Sequence, residues 1–84
     1  MERKEMMGTE IIREIMRRDG VTQQVLADRL GYRSNSAVTG RLSTLHISAE
    51  KLVEMLGALG YEVIVRKIEM DGTEEDGMEW KVIG

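Results

Sequence analysis

A chain of 84 residues with no cysteine, no proline and a single histidine has room for one modest core, and it excludes a disulfide scaffold, every thiolate metal site and a separate substrate domain. One Trp, two Tyr and no Phe leave that core to Leu, Ile, Val, Met and Ala, a palette that favours helices joined by glycine turns. The net charge of -3 is the wrong sign for a uniformly basic nucleic-acid binder, but it is unevenly spread: residues 1–47 carry eight Lys or Arg against six Asp or Glu, and residues 48–84 carry four against nine.

In chain order, the opening Met1-Glu-Arg-Lys-Glu lacks the apolar stretch of a secretory signal, and no apolar run approaches the length of a membrane span. A cytoplasmic protein with no membrane association is expected. Thr9 to Arg18 reads as a first helix, with Thr9 as its cap, Glu10 at the positive end of the dipole, Arg17 and Arg18 at the negative end, and Ile11, Ile12, Ile15 and Met16 as an apolar stripe. Asp19-Gly20 stops it.

Thr22 then caps a second helix, Val21 and Leu26 fall at the two positions of a hydrophobic staple, and Val25, Leu26, Ala27 and Leu30 form the predicted buried face before Gly31. Ser34 is placed to cap a short third helix from Asn35 to about Leu42, with Ala37, Val38 and Leu42 inward and Asn35, Ser36, Thr39 and Arg41 outward. Ser43 to Ile47 reads as a loop or single turn. Ser48 caps a further helix whose Leu52, Val53, Leu56 and Leu59 recur at helical spacing, and Gly60 ends it. Met16 and Met55 fall on the core stripes as gap fillers.

The character changes at Tyr61. Residues Tyr61 to Ile68 are β-branched and partly alternating, Asp71 to Gly77 is a polar turn, and Met78 to Ile83 supplies a return strand. A lone two-stranded hairpin is marginal in water, so these strands are expected to pack on the helices or pair with a second chain. The expected architecture is mainly α: a helix-turn-helix unit of four to five helices over residues 1–60, with a C-terminal β-hairpin over residues 61–84 in the same compact unit as the dimerisation element.

Ala27 and Gly31 are a small residue and a glycine four positions apart, which lets two short helices approach and the chain reverse between them. The polar face left on the third helix has the chemistry of base readout: Asn pairs with adenine, Ser and Thr reach bases or phosphates, and Arg takes guanine bidentately. The helix starts, at Thr22 and Gln23 as at Ser34, also offer N–H groups to phosphate. Thr22, Gln23, Arg33, Ser34, Asn35, Ser36, Thr39 and Arg41 are therefore the candidate DNA-contacting residues, with Arg13, Arg17 and Arg18 adding to phosphate neutralisation. His46 has no Ser, Cys or paired carboxylate at a telling spacing and reads as a loop residue. No constellation supports catalysis, so the chain is expected not to be an enzyme and to need no metal or cofactor.

Three segments together, Thr22-Gln-Gln-Val-Leu-Ala-Asp-Arg-Leu-Gly-Tyr, Ser34-Asn-Ser-Ala-Val-Thr-Gly-Arg-Leu and Leu52-Val-Glu-Met-Leu-Gly-Ala-Leu-Gly-Tyr-Glu-Val, resemble the Xre-like group of Cro/repressor-type helix-turn-helix regulators over roughly Thr9 to Val65. The resemblance implies a Gln23–phosphate contact, a recognition helix presenting Asn35, Ser36 and Thr39 to base edges, and homodimers on palindromic operators. It also suggests a strand after the last helix that pairs between subunits. Two departures stand out. Counted from Gly31, Ala37 and Val38 fall one position later than in the shortest versions of the motif, and Gly40 sits inside the recognition helix. The expected function is a sequence-specific transcriptional regulator of prophage, mobile-element or toxin–antitoxin type. The alternatives are an antitoxin or anti-regulator that binds a protein partner through the C-terminal hairpin, and a pure oligomerisation module.

Overall fold

The computed structural model describes residues 5–68 and 78–83, and the predicted turn Asp71 to Gly77 lies outside them. Four helices precede two strands: α1 (Gly8–Asp19), α2 (Gln23–Leu30), α3 (Ser36–Leu42), α4 (Ala49–Ala58), β1 (Val63–Arg66) and β2 (Glu79–Val82).

The helix stops follow from glycine. Gly20 and Gly31 take left-handed φ values of 68° and 79°, which cost a glycine little and a side-chain-bearing residue much. Through Gly20 the chain returns a bond from Val21 N–H to the Met16 carbonyl, and through Gly31 one from Tyr32 N–H to the Ala27 carbonyl. The starts follow from hydroxyls. Thr22 Oγ1 accepts from Val25 N–H, and Ser48 Oγ accepts from Lys51 N–H, each at 3.2 Å.

α1 departs from expectation at its start. It begins at Gly8 with Met7 in the capping position and no side-chain cap, and Thr9, expected as the cap, is buried inside the first turn. Gly8 explains the earlier start, because a Cβ there would lie 3.0 Å from Ile47 Cγ2 and 3.3 Å from a Leu52 methyl. A side chain there would need Ile47 or Leu52 to give by a few tenths of an ångström at this close approach of α1 to the start of α4.

One core holds the helices together. It is built from Ile12 and Met16 of α1, Leu26 and Ala27 of α2, Val38 and Leu42 of α3, Met55 and Leu56 of α4, and Leu59 just beyond it. Ala27 is fully buried, as the close approach of α2 to its neighbours requires. Leu26 is also fully buried, and its truncation to alanine should cost about 2–5 kcal/mol. Val25 and Ala37, both expected inward, are exposed. Successive residues turn about 100° round a helix, so Val25 cannot share a face with Leu26 and Ala27, and Ala37 is carried off the Val38–Leu42 stripe.

The strands are shorter than the β-branched runs that suggested them. They pair antiparallel with Val63 opposite Val82, Ile64 opposite Lys81, Val65 opposite Trp80 and Arg66 opposite Glu79. Val63 packs against the helical core, whereas Val65 and Trp80, on the same face, are more than half exposed. No described helix is long and apolar enough to cross a membrane.

Candidate nucleic-acid interface

The eight candidate residues cluster on the α2 start, the connection 31–35 and α3. Thr22 is exposed, and its hydroxyl is used as the α2 cap. Gln23, the next residue, reaches across to α3, where the Thr39 hydroxyl donates to its Oε1. The same hydroxyl lies 3.0 Å from the Asn35 carbonyl oxygen, so its single proton serves one acceptor at a time. This contact fixes the start of α2 against the middle of α3 and leaves the Gln23 amide N–H groups for another acceptor.

Ser34 is not the α3 cap that its type suggests. Asn35 holds the capping position in a helical conformation (φ −79°, ψ −1°) without a side-chain bond, while Ser34 Oγ lies 2.8 Å from Ser36 Oγ and 3.4 Å from Ser36 N. The two serines thus close a local hydroxyl turn, and the Asn35 side chain makes no capping bond. Arg33, Ser34, Asn35, Ser36, Ala37, Thr39 and Gly40 are all exposed. A Cβ at Gly40 would meet nothing within 4 Å. The outward face of α3 is therefore low and uncharged, with Ala37 and Gly40 one turn apart and Ser36 beside them. Between Gly31 and Ser43 the chain carries two arginines and no acid.

Arg41 is drawn off that face. Its guanidinium lies 5.0 Å from the Tyr32 ring centroid, donates to the Tyr32 hydroxyl and stands 3.9 Å from Glu54 Oε1. The Tyr32 hydroxyl donates in turn to Glu54 Oε1 at 2.8 Å, and Lys51 Nζ lies 3.6 Å from Glu54 Oε2. The Tyr32 hydrogen bond, helped by Lys51 and Arg41, holds the Glu54 carboxyl below its ordinary value against the opposing effect of burial. This chain of charge and hydroxyl joins the connection, α3 and α4, and it orients α3 from behind.

Two further arginines missed as structural residues do similar work. Arg13 of α1 donates to the Leu42 carbonyl at the end of α3, with Nε at 3.2 Å, and Arg29 of α2 donates to the Ala58 carbonyl at the end of α4, also at 3.2 Å. Each satisfies a helix-terminal carbonyl from a different helix, where positive charge also complements the dipole. Arg17 remains largely exposed, 3.8 Å from Glu14. The one histidine, His46, is an exposed loop residue. Among the described residues, no group of three or more His, Asp or Glu side chains is placed to hold a metal ion. None of the known protein families, curated proteins or solved structures compared matches the chain.

Proposed function

We propose that the chain is a sequence-specific DNA-binding transcriptional regulator of the Cro/repressor type, in which α2 and α3 form the helix-turn-helix and α3 enters the major groove. One observation carries the reading. α2 and α3 are locked at a glycine-closed turn, and α3 presents a low, uncharged, hydrogen-bonding face flanked by Gln23 and Arg33. Small side chains allow close approach of backbone to base pairs, Asn35, Ser36 and Thr39 supply donors and acceptors to base edges, and Gln23, Thr22 and Arg33 lie where phosphates flank a groove. Arg41 acts from behind as a positioning residue. The protein acts as a homodimer, so two α3 helices meet successive major grooves about 34 Å apart on an approximately palindromic site.

Selection from a random duplex pool at about 50 and 200 mM salt tests this reading. The expected result is an inverted repeat, with affinity falling on the order of a thousandfold across that range, as about six phosphate contacts require. Failure to retain any duplex at the lower salt would refute it.

A second reading is favoured by the hairpin. Val65, Ile68, Met78, Trp80 and Ile83 are each more than half exposed, a concentration of apolar surface that suits a protein partner such as a toxin or another regulator. In that reading DNA binding is secondary, and duplex retention would be weak and unselective.

A further inference from the structure

The exposed residues of α3 do not all face the same way. Successive helical residues turn about 100°, so Gly40 lies opposite the midpoint of Val38 and Leu42, the two buried residues of α3, with Ser36 close beside it. Thr39 lies about 100° round from Gly40, on the side where α2 approaches and its hydroxyl meets Gln23. Ser36 and Gly40 therefore point most directly outward, and Thr39 points along the α2–α3 seam.

Two acceptors lie within reach of the Thr39 hydroxyl, and the helix decides between them. The Asn35 carbonyl already accepts the Thr39 backbone N–H at 2.9 Å, the ordinary bond of a helical turn, so its need is met without the hydroxyl proton. Gln23 Oε1 has no other donor among the described residues. The proton therefore serves Gln23. An amide has two unlike ends, and holding its oxygen against α3 turns its NH2 group outward. Gln23 then offers only donors to its surroundings, which is the polarity that a phosphate oxygen needs.

We infer that Thr39 is a positioning residue for phosphate recognition, its hydroxyl fixing the polarity of the Gln23 amide so that the NH2 group meets the backbone of the duplex. This rests on the DNA-binding reading and deepens it: the Thr39 hydroxyl proton is withdrawn from the bases and acts through Gln23. Without that hydroxyl nothing distinguishes the two ends of the amide, and the phosphate meets the oxygen end as often as the NH2 end.

The test is titration of the full chain, at one fixed salt concentration, with the selected duplex and with a panel of its single-base-pair variants. Gln23→Ala should weaken binding roughly tenfold or more, as loss of a hydrogen bond to a charged group does, and Thr39→Val by about two- to tenfold. Both losses should be shared across the panel, because a phosphate contact carries no base preference. Thr39→Val should add nothing in the Gln23→Ala background, and Thr39→Ser, which keeps the hydroxyl, should restore binding. Gln23→Glu separates the phosphate contact from the α2–α3 contact. Its carboxylate still accepts from Thr39, so thermal melts should match wild type, while binding falls at least as far as in Gln23→Ala because no donor remains. Valine is close to threonine in shape and helix propensity, and melts of every variant identify any that does not fold.

A Thr39→Val loss confined to one base pair, a loss that adds in full to that of Gln23→Ala, or wild-type affinity in Gln23→Glu would each overturn the inference while leaving DNA binding intact. Failure of the wild-type chain to hold any duplex would overturn the DNA reading itself and this inference with it.

Discussion

Two glycines distinguish the stability of the helices from their use. Gly40 in α3 and Gly57 in α4 both lie within helices with no positive φ, both are exposed, and a Cβ at either meets nothing within 4 Å. Alanine at such a site stabilises a helix by about 1 kcal/mol in its interior, and about 0.4–1 kcal/mol is typical when much of the gain comes from restricting the unfolded chain. Both glycines lie near the C-terminal ends of their helices, where fraying favours the lower figure. For a domain of this size, roughly 0.5 kcal/mol corresponds to about 2–4 °C in Tm. Thermal melts followed by circular dichroism should therefore show similar gains for Gly40→Ala and Gly57→Ala. Duplex titration should separate them. If α3 seats its backbone against base pairs, an added methyl at Gly40 overpacks the contact, at about 1–3 kcal/mol, roughly five- to a hundredfold in Kd. Gly57→Ala should leave Kd unchanged. Equal affinities for both variants would refute the placement of α3 in the groove, and a loss of Tm in Gly40→Ala would refute the inference that the site is sterically open.

Arg33 and Arg41 should differ in how their loss is felt. Arg33→Ala should reduce the slope of log affinity against log salt by about 0.9, the signature of one lost phosphate contact, whereas Arg41→Ala should lower affinity for the selected site with the slope unchanged, because its charge is already met by Glu54. Equal slope changes would contradict the positioning role. The lowered pKa of Glu54 has a sign: its contribution to stability is present above the ordinary carboxylate value of 4.5 and is lost as pH falls through the depressed folded value. Glu54→Gln should therefore be less stable than wild type at pH 7, and the gap should narrow below about pH 4.5. Parallel curves in acid urea titrations would count against the Tyr32–Glu54 bond. Gly8→Ala should lower Tm even though it adds a better helix former, since its Cβ would press on Ile47 Cγ2 at 3.0 Å; a raised Tm would mean that Ile47 yields freely. Ser48→Ala should cost about 1 kcal/mol by removing the α4 cap, read as a lower urea midpoint.

Local features of the fold were legible because their causes are local. Gly20, Gly31, Thr22 and Ser48 mark helix ends through their own backbone and hydroxyl chemistry, and Met16 and Met55 lie on apolar stripes that the core then buries. The errors arose where a neighbour decides. Thr9 has the type of a cap, but the packing of Gly8 against Ile47 and Leu52 starts the helix earlier and turns Thr9 inward. Val25 and Ala37 are apolar, yet the helical phase set by Leu26 and Val38 faces them outward. Arg13 and Arg41 read as surface charge suited to phosphate, and Arg29 drew no reading of its own. Their partners, Leu42, Ala58 and the Tyr32–Glu54 pair, lie on other elements, and no spacing within a single helix announces them. At the candidate site, the residue types of α3 were readable, whereas the Gln23–Thr39 contact that joins α2 to α3 depends on the crossing of the two helices.

Amide-resolved NMR of the full chain titrated with its selected duplex reads whether α3 is the surface that meets DNA. Shifts should concentrate at Thr22, Gln23 and residues 33–40, with Gly57 in α4 unmoved. Shifts confined to α4 or to the hairpin around Trp80, with α3 silent, would contradict it.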